Sequence, residues 1–499
     1  MDVNAYRRSA EAFLTDLTRE YYLHYAGLKE AYEIEPIYAR HEDLFTAQAI
    51  DSLREQRAAT DPGSDESRRL RMLLDFAVEG HLGEATKDLE TQLAEREAAL
   101  TIDLRDRQMG FRESSVVQAN EPDAEVRATI EWARNELTER ELGGLYRELL
   151  ERQHHGTAAL GWSSYSEMCA ECKSIDLAAL HIQTAAFNAD SEAGFPAMLE
   201  PEVRRTLGIE LAELRRSDLS RFFRAPEEDA QFAADRLVPS FMETMLGLGI
   251  DVADQCAVHL DLDSRPNKSP RAFCAPVGVP GEVHLVLTPV GGRDDFTVLM
   301  HEGGHTEHYA NVAPELAFEY RYLGDNAITE AYAFLFEHLI EDPEWLRRRL
   351  GIEDAGCLLA HGRAQRLIYM RRYAAKLAYE LELHAGPHGR SWDELSRRYA
   401  QLIGDALHIE WPSETFLADV DPGFYCAAYL RAWALETHLR AYLRDRFGLA
   451  WFDEPEAGDV LRRLWAEGQR LGAEEMLGEL TGERLEFGVL IADLGLVAA

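Results

Sequence analysis

The chain has 499 residues, enough for two or three ordinary domains or one large two-lobed enzyme with a substantial core. A formal net charge of −37 argues against a nucleic-acid partner, which needs a basic face, and against docking on anionic membranes. Hydrophobic content of 46% with 28% charged residues places the chain among ordinary soluble globular proteins. The opening stretch, Met1 to Arg8, leads into a mixed polar and apolar helix pattern, so neither a signal peptide nor a membrane span is expected. Six scattered cysteines fit a reducing cytoplasm. Cys169 and Cys172 form the one C-x-x-C and read as two small residues on a helix face.

In chain order, the first two hundred residues read as helix after helix. Phe13, Leu14, Leu17 and Tyr21 recur at helical spacing, and Leu70, Leu73 and Phe76 do so again. Asp61-Pro62-Gly63-Ser64-Asp65 is a turn, and Asn120-Glu121-Pro122-Asp123 opens a helix through Trp132. The charged run 85–107 reads as the solvated face of a long helix. None of this carries a chemical motif. A loop at Gly194-Phe195-Pro196 suggests a division into an N-terminal helical scaffold, 1–195, and a catalytic region, 196–499.

Past a helix that ends near Gly247 and Gly249, the pattern changes to period two. Val258 to Leu262 alternates, a Pro-rich loop follows at Arg265 to Pro270, and Val283 to Thr288 is the clearest strand. Such a strand could align an extended peptide by main-chain hydrogen bonds. Then comes His301-Glu302-Gly303-Gly304-His305, an H-E-x-x-H motif. If Asp294 or Asp295 caps its helix, the histidines sit at i and i+4 and two imidazoles reach one Zn²⁺. Glu302 lies beside them to take a proton from metal-bound water. The two glycines break helix propensity, each costing about 1 kcal/mol against alanine, so a substrate or packed helix is expected against that face. Glu330, 25 residues after His305 in an apolar helical run, would complete a two-His, one-Glu site with one open position.

Arg265 to Cys274, the strand, and the run from His301 to His308 together resemble the thimet oligopeptidase and oligoendopeptidase F family of zinc metallopeptidases. Glu330 stands at the spacing of that family's third zinc ligand, and His308 matches a further histidine of its zinc helix. The likeness runs loosely from about Arg215 to the C-terminus. It implies a mainly α, two-lobed body with a deep channel, a small β-sheet next to the zinc helix, one Zn²⁺ per chain, and oligopeptide substrates. The segment Asp421 to Tyr429 resembles the family's zinc-facing tyrosine stretch, so Tyr425 and Tyr429 become candidate oxyanion donors. The histidine that many relatives carry just before it is missing from Phe416 to Val420, and Ala432 stands near the place of a later tyrosine.

The expectation is a cytoplasmic zinc peptidase cleaving short oligopeptides. His301, His305 and Glu330 would hold the metal, Glu302 would be the general base acting on metal-activated water, and His284 and His308 are candidate substrate contacts. A metallocarboxypeptidase shares the zinc site but needs a cation for the terminal carboxylate, for which Arg431 or Arg371 is available in sequence. The non-enzyme alternative is a peptide-binding helical protein with a vestigial zinc site, which would not need Glu302.

Overall fold

The computed structural model describes residues 1–104, 107–385 and 389–496. The fold is mainly α, and the described residues include two small sheets. The chain forms two compact units. The first comprises Met1–Val78, Glu228–Leu359 and Arg431–Leu490; the second comprises Glu79–Glu227, Ala360–Leu430 and the segment from Ile491. Each unit draws on sequence from both sides of residue 195, and Gly194 leads directly into the helix Phe195–Leu207 within the second unit. No described helix is long and apolar enough to cross a membrane.

The first unit opens with helix α1, Val3–Tyr25, whose N-terminal amides at Asn4 and Ala5 are capped by the Asp2 carboxylate. Its sheet consists of β1 (Val258–Asp261), β2 (Phe273–Gly278) and β3 (Glu282–Val286), in the spatial order β1-β3-β2. β3 runs parallel to β1 and antiparallel to β2, with His284 opposite His259 on one side and Ala275 on the other. The long apolar run 283–287 is therefore the buried centre of the sheet, and both its edges are taken. The expectation that this strand aligns a peptide is corrected: β2 is an edge strand, as the proline at Pro276 suits. The Pro-rich loop is pinned by Lys268, whose side chain is 2% exposed and whose ammonium donates to the backbone oxygens of Asp261, Asp263 and Leu287 and to the Asp261 carboxylate. α1 packs on the sheet through Tyr22, stacked on His284 at 3.8 Å between ring centroids, and through Tyr21 against Phe273.

Helix α2, Arg293–Ala310, carries the H-E-x-x-H motif, and α3, Asn326–Glu337, carries Glu330. α2 begins a little earlier than the aspartate-cap expectation, with Gly292 at the cap position and Asp294 and Asp295 in the first turn. Asp295 instead accepts from the amides of Val290 and Gly291, and Asp229 accepts from the Arg293 amide at 3.0 Å. The first helical amide is thus satisfied by a carboxylate brought in from another segment, while Asp295 ties down the loop that leads into the helix.

In the second unit, the charged run 85–107 is not a single helix. The helix Asp65–Ala99 ends and an antiparallel hairpin follows, Thr101–Leu104 with Arg107–Gly110; residues 105 and 106 of that run lie outside the described residues. Ile102, Leu104, Met109 and Phe111 bury with Val126 and Ile130 in one cluster. Cys169 and Cys172 are both buried on the helix Tyr165–Lys173 and are unbridged. This unit also holds the start of helix α4, Tyr425–Phe447.

Candidate metal centre

Packing of α3 on α2 builds the site, and the two glycines permit it. A Cβ on Gly304 would lie 2.7 Å from both the Ala333 Cα and the Tyr332 carbonyl oxygen, so only glycine lets the α3 backbone come this close. A Cβ on Gly303 would overlap the ring of Phe241, from the helix Ala234–Gly247. The close approach inferred from the glycine pair is thus made by packed protein on both sides.

That approach brings Glu330 to the histidines. Glu330 Oε2 lies 3.5 Å from His301 Nε2 and 3.7 Å from His305 Nε2. The ligand atoms of the three residues lie within 4.8 Å of one another. Donors bound to one tetrahedral zinc at about 2.1 Å sit about 3.4 Å apart, so this set fits that ion with little movement. The outer nitrogens are engaged as well. His301 Nδ1 is 2.7 Å from Glu337 Oε2, and His305 Nδ1 is 2.8 Å from Thr329 Oγ1, which leaves both Nε2 atoms facing Glu330. The His301 ring also rests edge-on against Phe334. Glu337 and Thr329 escape the sequence reading. The available signal is helical: Glu337 is seven residues after Glu330 on the same helix, hence on the same face.

Glu302 points elsewhere. Its Oε2 accepts the Cys274 amide of β2 at 2.8 Å, so the carboxylate is held at the sheet edge beside the histidine pair. Burial raises its pKa above the ordinary carboxylate value, opposed by His301 and by the Cys274 amide. Burial lowers the pKa of His301, but its bonds to Glu330 and Glu337 outweigh this and hold it well above the usual imidazole value. Burial, with the neighbouring His301 charge, pushes His305 down to about 4.

Other expected site residues fall in different places. His308 is fully buried between the rings of Tyr309 and Tyr332, and burial pushes its pKa down to about 3. His284 is buried in the stack between Tyr22 and His259 and pairs with Glu282 at 3.2 Å. Both side chains are buried against neighbouring rings, away from the surface a substrate would meet. Arg431 is buried and committed to Asp325 and Glu474. Arg371 is buried too, and donates to the backbone oxygens of Ala406 and Asn188, to Ser191 and to Glu192. Neither arginine has its guanidinium left over for a peptide terminus.

Tyr425 and Tyr429 lie half-buried in the first turns of α4, ring centroids 5.0 Å apart, and Tyr429 meets Tyr373 edge-on. The turn before them is strained: Phe424, a non-glycine residue, has φ 55°, directly after Gly423 at φ 62°. It is held by the Gly423 amide donating to the Tyr165 hydroxyl and the Asp421 amide donating to Glu380. A second group with metal-capable atoms, Glu380, Asp421 and Cys426, sits behind this turn. Lys376 occupies it as counter-charge, 2.7 Å from Asp421, and the Cys426 thiol donates to Glu380.

No family model matches the chain, and no curated protein does. Among solved structures it is similar to a protein from Bacillus anthracis strain Ames, provisionally described as an oligoendopeptidase F. The TM-score is 0.68 and the identity 16%, over 97% of this chain and 88% of that one. The expected mainly α class with a small sheet is therefore the one observed, and the chain has the mainly α fold of that oligoendopeptidase F.

Proposed function

We propose that the chain is a zinc-dependent peptidase that hydrolyses short oligopeptides. The observation that carries this reading is the convergence of two Nε2 atoms on one Glu330 oxygen, with the outer histidine nitrogens already bonded. A bound Zn²⁺ would polarise the scissile carbonyl and lower the pKa of the attacking water. Glu302 takes the water's proton and passes it to the leaving amine; its raised pKa brings it closer to neutrality, where proton exchange in both directions is efficient. Its bond to the Cys274 amide keeps the carboxylate at the β2 edge, the strand we assign to main-chain pairing with substrate. The oxyanion hydrogen bond is assigned to Tyr425 or Tyr429 on the likeness of the segment Asp421 to Tyr429 to the tyrosine stretch of the oligopeptidase family.

An endopeptidase is favoured over a carboxypeptidase, because Arg371 and Arg431 are both spent on internal partners. The test is to measure zinc content and cleavage of a fluorogenic peptide blocked at both ends, before and after chelation and after zinc is restored. The expected result is cleavage that tracks zinc. A zinc-loaded protein that binds peptides and cleaves none would support the binding-protein alternative.

A further inference from the structure

The carboxylate that starts α3 gathers more donors than a helix cap needs. Asp325 is the N-cap of α3, and its Oδ1 accepts the Ala327 amide at 3.0 Å. Its Oδ2 accepts the amide of Ala473, the first residue of the helix Ala473–Thr481, also at 3.0 Å. Arg431 of α4 closes on both oxygens as a fork, Nη1 to Oδ1 at 2.9 Å and Nη2 to Oδ2 at 2.7 Å. Its Nε donates to Glu474 at 2.7 Å. The Arg431 side chain is 2% exposed and that of Asp325 12%, whereas Glu474 is 56% exposed. Burial acts against the Asp325 charge, but Arg431 and the two backbone amides outweigh it and hold the carboxyl below its ordinary range. All of these residues lie in the first unit. One carboxylate thus ties three helices together, and the helix it caps carries Thr329, Glu330 and Glu337.

We propose that Arg431 is a positioning residue: by clamping Asp325 on the start of α3, it sets where Glu330 stands. This rests on the zinc reading and deepens it by naming what keeps the third ligand in place. Glu330 follows the cap by five residues, about 7.5 Å of helical rise, so it moves with the first turns of α3. Thr329, which bonds His305, rides on the same turn. Without the guanidinium, Asp325 would hold its charge in a buried place with the two amides as its remaining donors. A buried carboxylate stripped of its counter-charge is strongly disfavoured. It would turn to solvent and release the Ala327 amide, and with it the start of α3. Metal–ligand bonds of about 2.1 Å tolerate little such movement, since Glu330 Oε2 stands 3.5 and 3.7 Å from the two Nε2 atoms. A lysine at 431 would keep the charge but, as a point donor, could not bridge both oxygens as a fork.

The experiment measures zinc affinity by competition with a chelator of known affinity, and amide hydrogen exchange along α3 in the metal-free full chain. Arg431→Met should weaken zinc binding by about tenfold or more and speed exchange in the first turns of α3. Arg431→Lys should fall between the parent and Arg431→Met in both measurements, and it carries the test if the methionine variant does not fold. Glu474→Gln should leave zinc affinity within about threefold of the parent's, because Glu474 is largely in solvent. Arg127→Met is the control: it cuts an equally buried pair, Arg127 with Asp218, in the second unit. It should lower the melting temperature and leave zinc affinity and α3 exchange as in the parent. Parent-like zinc affinity in both Arg431 variants, or an equal loss in Arg127→Met, overturns the positioning role while the zinc reading stands. Should the parent take up no zinc, the zinc reading fails and exchange alone decides the clamp. Faster α3 exchange in Arg431→Met then upholds it, and parent-like exchange overturns it.

Discussion

Glu337 Oε2 lies 2.7 Å from His301 Nδ1, on the opposite side of the imidazole from Glu330. The carboxylate fixes the ring's orientation and makes its inner nitrogen a better donor to a cation. Glu337→Gln keeps an acceptor for the Nδ1 proton but removes the charge. Zinc affinity should fall by about tenfold to a hundredfold in competition with a chelator of known affinity, with the fold unchanged. Affinity equal to the parent's would make Glu337 a packing residue.

Metal binding and proton transfer should separate by residue. Glu302→Gln preserves shape and removes the base, so zinc should stay near one per chain while kcat drops by at least about a hundredfold. His301→Ala and Glu330→Ala should lose the metal itself. Full activity in the Glu302→Gln enzyme would move the base to another group.

Gly304 is the contact through which α3 reaches α2. In Gly304→Ala the new methyl meets backbone atoms of Ala333 and Tyr332, which have no rotamer to move, so the helices must part. Overpacking of this kind costs about 1–3 kcal/mol in stability. Because Glu330 rides on α3, zinc affinity should fall as well, even where the variant remains folded by circular dichroism. Unchanged affinity would show that Glu330 can follow the histidines independently of that contact.

The candidate metal site is legible in sequence because helical period alone brings most of its residues together. His301 and His305 share a face at i and i+4, and Glu330 follows on the next long helix. The glycine pair signals a close approach, but its partner Phe241 comes from about sixty residues upstream, a distance that no local pattern reports. Strand order is misread for a physical reason. The most continuous apolar run, 283–287, is the one buried on both sides, so the clearest strand is the centre of the sheet and not its edge. His308, His284, Arg431 and Arg371 are polar groups whose type suggests ligand contacts. Their burial and their partners arise from tertiary packing, which one sequence does not display.

The tyrosines supply a kinetic test. Loss of one oxyanion donor costs on the order of 3 kcal/mol in the transition state. Tyr429→Phe or Tyr425→Phe should lower kcat by about a hundredfold with little change in KM or zinc content. If neither does, the strained Gly423-Phe424 turn serves packing alone and the donor lies elsewhere.

Glu307 gives stability a pH dependence that can be read without activity. It is fully buried on α2, and burial raises its pKa to about 7 against the donors Gln255 and Asn311. A carboxyl whose folded pKa is raised favours folding in its neutral form. Its contribution is complete below the unfolded value of about 4.5 and is lost as pH rises through about 7. A shift of this size corresponds to on the order of 3 kcal/mol, the difference in this group's contribution between pH 4.5 and pH 8. Glu307→Gln cannot ionise and offers the same two donors an amide oxygen. Its melting temperature relative to the parent should therefore rise steadily from pH 5 to pH 8, in metal-free and zinc-loaded protein alike. A Tm difference that stays flat across that range would mean Glu307 keeps an ordinary pKa, through hydration or a partner that neutralises its charge.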